Sequence, residues 1–144
     1  MSEKPQLFGT DGVRGVAGEY PLDRPTVWRI GRALGSFLAS TISNRPLQVV
    51  MGEDTRESSP WISRTLAAGL LSKSVDVAYA GVITTPAVAF LARHRGFASG
   101  VVVSASHNPY QDNGIKVLSS SGTKLAETQE LEIERAIEAE ELEL

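Results

Sequence analysis

The sequence predicts a three-layer α/β/α domain with a mixed, mostly parallel sheet. Three observations carry that expectation. Short apolar runs closed by glycine or serine recur along the chain, as buried strands do. Amphipathic stretches of about 10–15 residues separate most of them, the spacing of helices that cross between parallel strands. The last two runs are joined by only about ten residues. That is short for a parallel crossover, so the final pair is expected to be antiparallel.

The elements follow in chain order. Pro25 opens a helical pattern with Val27, Ile30, Leu34, Phe37 and Leu38 on one face, ending near Asn44–Pro46. Leu47–Gly52 is the first strand. Ser59 reads as an N-cap before Pro60 at the first helical position, and Ile62, Leu66 and Leu70 repeat at four-residue spacing behind it. Val75–Ala80 is the second strand. Thr85–Pro86 opens a third helix, which Gly96 closes after the basic run Arg93–Arg95. Gly100–Ser104 and Gly114–Leu118 are the third and fourth strands, and a final helix runs from Glu127 to Glu141.

A chain of 144 residues is the length of one domain. With 42% apolar and 22% charged residues it has the composition of a packed globule. The absence of cysteine excludes disulfides and thiolate metal sites and fits a reducing cytoplasm. No apolar run approaches the ~18 residues of a membrane span, and the first residues lack the basic-then-apolar order of a secretory signal. The net charge of -3 conceals an asymmetry, because residues 127–144 hold eight Glu and one Arg. The remainder is mildly basic, which suits an anionic ligand, and the acidic end reads as the wet face of a helix. Nucleic acid is a poor fit, since the basic residues form no run with interleaved aromatics.

Three polar segments are placed for chemistry, given that open α/β sheets bind ligands beyond the carboxyl ends of their strands. They are Phe8–Gly15, Gly52–Ser59 and Ser104–Pro109. In the last, an apolar strand runs into two serines, a histidine and an asparagine. Ser106 and His107 do not make a hydrolase pair, because neighbouring side chains in extended chain point apart and no G-x-S-x-G elbow is present. The bland alternative is a polar turn broken by Asn108–Pro109. The first segment combines three glycines with Arg14, a combination that lets backbone and guanidinium approach a phosphate; by itself such a segment is more often just a turn. It is neither a Walker loop nor a dinucleotide fingerprint. Arg56, in the second segment, stands before a helix N-terminus, an anion-friendly place, although a solvated loop explains it as well. His94, Trp28 and Trp61 read as structural.

Together, FGTDGVRG, GEDTRESS, TTPAVAFL and GVVVSASHNPYQDNGIKVLSSSGTKL resemble the first domain of the α-D-phosphohexomutases. The similarity is greatest to the bacterial branch that acts on glucosamine phosphates, and it covers nearly the whole chain. It implies that Ser106, immediately before His107, is phosphorylated and shuttles a phosphoryl group through a bisphosphorylated sugar, with Ser104 only its neighbour. It implies Arg14 and Lys116 beside the serine as acid/base candidates. It implies that His107 and Asn108 hold the loop or touch phosphate and substrate oxygens, and it adds Thr10 and Arg56 as phosphate-binding candidates. It also implies Mg2+, with one ligand from the Ser106 phosphate and the rest from a D-x-D-x-D loop. That loop is not in these 144 residues, nor are the family's sugar-recognition loop and fourth domain. The expectation is therefore a first domain of a four-domain cytoplasmic homodimer, with a sugar phosphate as its small-molecule partner and no nucleic acid or membrane. A hexose-phosphate mutase of the same family and a non-catalytic sugar-phosphate module are the alternatives. Glu53 departs from the family, which commonly has a basic residue there.

Overall fold

A computed structural model describes residues 4–142. The acidic stretch therefore runs two residues past the described part. The elements in chain order are β1 (Val13–Val16), α1 (Arg24–Thr41), β2 (Gln48–Glu53), α2 (Ser59–Leu71), β3 (Asp76–Val82), α3 (Thr85–His94), β4 (Ser99–Val103), β5 (Asp112–Ser119) and α4 (Glu127–Leu142). The strands form one sheet in the order β1-β5-β4-β2-β3. β2 pairs in parallel with β3 and β4, whereas β5 pairs antiparallel with β4 and β1. Four strands thus run one way and β5 runs against them, as the short connection before it requires.

Strand periodicity divides the side chains between two cores. Val49, Met51, Val101, Val103, Ile115 and Val117 face the larger one, which α1, α2 and α4 cover. Val50, Val102 and Leu118, the residues between them, face Val88 and Ala92 of α3. The result is the three-layer arrangement, with three helices on one face and one on the other.

Each of α1, α2 and α3 has proline in its first turn. Asp23 and Thr84 cap α1 and α3 with their side chains. The α2 cap differs from expectation. It is Ser58, whose side chain caps nothing, while the Ser59 hydroxyl donates instead to Asp54 Oδ1 at 2.7 Å. Helix α1 also stops at Thr41, short of Asn44.

Two further features were not expected. β1 lies inside the Gly-rich segment that reads as a loop, with Val13 paired to Ile115 and buried. The acidic helix is not uniformly wet. Glu134 is 7% exposed and accepts the backbone N–H groups of Gln6, Leu7 and Phe8 at 2.7–2.9 Å, which ties the start of the chain to α4. Glu130 is also buried, against Lys124. Among the described residues no helix is long and apolar enough to cross a membrane.

Candidate active site

The strand order reverses at β2. Helix α2 carries the chain outward to β3, and α3 returns it across the sheet to β4. The carboxyl ends of β2 and β4 therefore flank a topological switch point, where open α/β sheets form their binding crevice. The loops leaving these two strands meet there, and the N–H of Asp54 donates to the Val103 carbonyl at 3.0 Å.

Ser106 stands exposed on the loop after β4, with its backbone in the left-handed region at φ 52°. Its N–H donates to Ser104 Oγ at 3.1 Å. Ser104 itself is 8% exposed, so of the two serines only Ser106 presents its side chain to solvent.

Register brings two cations to this loop. Val13 on β1 and Ile115 on β5 are paired and buried in the larger core. Arg14 and Lys116, one residue further on, therefore project from the opposite face. Lys116 Nζ donates to Ser106 Oγ at 3.4 Å. Arg14 Nη1 donates to the Ala105 carbonyl at 3.0 Å and to Asn108 Oδ1 at 2.9 Å, and Nε reaches the Asp11 carbonyl at 3.4 Å. Among the described residues nothing takes the two hydrogens of Arg14 Nη2, so they remain for an anion. Gly114 permits this convergence. A Cβ there would stand 2.7 Å from the Ser104 carbonyl oxygen, 3.0 Å from that of Val13 and 3.1 Å from Arg14 Cγ.

The other candidate residues separate. Asn108 holds the loop: besides accepting from Arg14, it donates Nδ2 to Asp112 Oδ2 at 3.3 Å. His107 is exposed, and no described residue hydrogen-bonds its ring. Thr10 is exposed in the turn before β1 and lines a cavity of about 140 Å3 with Lys116 and Lys124, without a bond to the serine loop. Arg56 takes a different place from the one expected. It is 9% exposed, and its guanidinium donates to Asp54 Oδ2 (3.0 Å) and to the carbonyls of Ser106 (2.9 Å), Asn108 (3.1 Å), Pro109 (2.6 Å) and Asp112 (3.1 Å). A guanidinium has five N–H donors. All are committed, so Arg56 has none left for a phosphate.

Sequence reasoning missed the group beneath the loop. Asp54 accepts from Ser59 and from the backbone and side chain of Arg56. Burial by itself pushes its carboxyl up, but the hydrogen bonds from Ser59, Arg56 and Ser104 outweigh that and hold it below the ordinary carboxylate value. Asn113 is fully buried; it donates Nδ2 to Ser58 Oγ (2.8 Å) and Ser59 Oγ (3.0 Å) and accepts the N–H of Gly114 (2.8 Å). The one sequence signal for this group is the density of short polar side chains at 54–59 and 112–113.

These residues do not make a Mg2+ site. Mg2+ asks for near-octahedral oxygen coordination. Ser106 Oγ accepts from Lys116, and the carboxylates of Asp54 and Asp112 are engaged by Arg56 and Asn108. Among the described residues no group of three or more His, Cys, Asp or Glu could hold a metal ion.

Comparison with known proteins agrees with this fold. A family model described as phosphoglucomutase/phosphomannomutase, alpha/beta/alpha domain I, matches residues 5–144. A phosphoglucosamine mutase from Koribacter versatilis is 61% identical over 132 residues, which is 92% of this chain and 28% of that protein. One from Deinococcus radiodurans is 50% identical over 138 residues, 96% of this chain and 30% of that protein. The chain thus spans less than a third of the length of these curated relatives. A crystal structure of a phosphoglucomutase/phosphomannomutase family protein from Burkholderia thailandensis superposes with a TM-score of 0.78 at 30% identity, over 94% of this chain and 30% of that one.

Proposed function

The chain belongs to the phosphoglucomutase/phosphomannomutase family, whose α/β/α domain I it matches, and on that premise we propose that Ser106 carries a phosphoryl group in a phosphoglucosamine mutase. The observation that carries the reading is one exposed serine hydroxyl that accepts from Lys116 Nζ at 3.4 Å, on a loop whose Ala105 carbonyl and Asn108 side chain are held by Arg14, at a switch point.

Phosphoryl transfer is mainly positioning and charge stabilisation. In the forward half-reaction the bond from phosphorus to Ser106 Oγ breaks, and a bond forms to a free hydroxyl of the hexosamine monophosphate. That hydroxyl loses its proton, and Ser106 Oγ gains one, for which Lys116 is the neighbouring donor. The sugar then carries two phosphoryl groups. The second half-reaction returns the other one to Ser106, so glucosamine 6-phosphate and glucosamine 1-phosphate interconvert without net consumption of phosphate. Arg14 balances charge on the phosphoryl oxygens. His107, whose ring has no partner among the described residues, is exposed on the same loop, where a substrate would arrive.

The relatives' names favour glucosamine phosphates over glucose or mannose phosphates. In this reading the chain is the phosphoserine domain of a larger, cytoplasmic, homodimeric enzyme, as the family resemblance implies. Mg2+ would take one ligand from the Ser106 phosphate and its remaining ligands outside this chain. The deciding experiment assays the full-length enzyme on glucosamine, glucose and mannose 6-phosphates. Glucosamine 6-phosphate is expected to give the highest kcat/KM. Preference for a neutral hexose phosphate overturns the substrate, and absence of turnover on all three leaves a binding module.

A further inference from the structure

We infer that Arg56 is a positioning residue for Ser106, acting by drawing the carbonyls of the serine loop onto one buried guanidinium. The inference rests on the phosphoserine reading above and extends it to a residue that touches neither substrate nor phosphate.

Four carbonyl oxygens, those of residues 106, 108, 109 and 112, converge on the Arg56 side chain. Without a cation between them their dipoles would oppose one another. A guanidinium suits this place because its five donors lie in one rigid plane; an ammonium has three donors and no plane. Asp54 fixes the orientation by accepting Arg56 Nε and the Arg56 backbone N–H, and Ser59 holds Asp54 in turn. Peptide planarity transmits the effect. The Ser106 carbonyl turned towards Arg56 sends the His107 N–H the opposite way, and no described residue accepts that N–H. Ser106 also has a left-handed backbone, a conformation that persists in a non-glycine residue only when its surroundings over-determine it. Release of the carbonyl lets Ser106 relax and moves its hydroxyl off Lys116. Misplacement of a reacting atom by about 1 Å costs about 10²-fold in rate.

The test is Arg56→Lys in the full-length enzyme, read by steady-state kinetics, thermal unfolding and hydrogen exchange of the amides between residues 104 and 112. The expected result is a fall in kcat of about 10²-fold with KM nearly unchanged, a preserved unfolding transition, and faster exchange confined to the loop. Unchanged kcat, or unchanged loop exchange, overturns the inference. A fall in activity that only tracks the loss of folded protein overturns it too. Should the lysine variant not fold, Asp54→Asn keeps the guanidinium but frees its orientation, and the same readings decide with a smaller expected loss. If the wild-type enzyme shows no phosphate on Ser106, the functional reading fails, and loop exchange still decides whether Arg56 holds the loop.

Discussion

Arg14 and Arg56 differ in what they leave uncommitted. Arg14 keeps both Nη2 hydrogens among the described residues, whereas every donor of Arg56 is engaged, four by carbonyls of residues 106–112 and one by Asp54. Arg14→Ala and Lys116→Ala should therefore lower kcat by about 10²–10³ while changing KM much less, as loss of an electrostatic contact to a transferring group does. Steady-state kinetics with circular dichroism as a folding control checks this; near-normal kcat removes that residue from the site. Asp54 has a pH signature. Its folded carboxyl lies below the ordinary value because its hydrogen bonds outweigh burial. The stability it contributes is thus fully present above the unfolded value of about 3.9, and it is lost as pH falls through the lower folded value. Asp54→Asn should destabilise at pH 7, and its difference from wild type should narrow at about pH 3, measured by urea unfolding.

At the scale of elements, the closest packing is between α1 and α2. A Cβ on Gly69 would lie 2.4 Å from the Trp28 carbonyl oxygen and 2.8 Å from Arg32 N, both backbone atoms. Alanine ordinarily stabilises a helix interior by about 1 kcal/mol over glycine. Here overpacking should reverse the sign, and Gly69→Ala should cost about 1–3 kcal/mol in urea unfolding; a gain would contradict the packing. Helix α4 supplies a pH effect opposite to that of Asp54. Burial raises the Glu130 carboxyl, and this exceeds the opposing pull of Lys124. Its ionised form therefore weighs against folding above the raised value, and the penalty is absent once both states are protonated. Glu130→Gln should raise the unfolding midpoint at pH 7, with the gain disappearing in acid. The elements themselves were legible where local chemistry decides them. Proline in the first turn marks α1, α2 and α3, and apolar runs mark β2 to β5. β1 was not legible, because four residues with a glycine among them have too short a pattern and become a strand only by pairing with β5. Nor was Glu134 as a clamp on Leu7 and Phe8, since its partners are more than a hundred residues away in sequence. The same limit applies to Arg56: its sequence position shows a charge near a helix start, and only tertiary structure shows four carbonyls closing over it.

For the whole molecule, the sheet collects segments distant in sequence into one site. Arg14 arrives on β1, Arg56 on the loop after β2, Ser106 on the loop after β4 and Lys116 on β5. Because no acidic cluster accompanies them among the described residues, these 144 residues alone should bind Mg2+ weakly and turn over no sugar phosphate, by calorimetry and coupled assay. Measurable turnover, free of host enzyme, would show that the domain is sufficient. The central claim concerns Ser106, and fragmentation mass spectrometry of active full-length enzyme tests it most directly. Trypsin releases residues 96–116 as one peptide holding both Ser104 and Ser106, so fragmentation has to separate the two. Phosphate is expected on Ser106 and absent from Ser104, and Ser106→Ala should lose both the phosphate and several orders of magnitude in turnover. Phosphate on Ser104 with none on Ser106, or undiminished turnover in Ser106→Ala, would contradict the account.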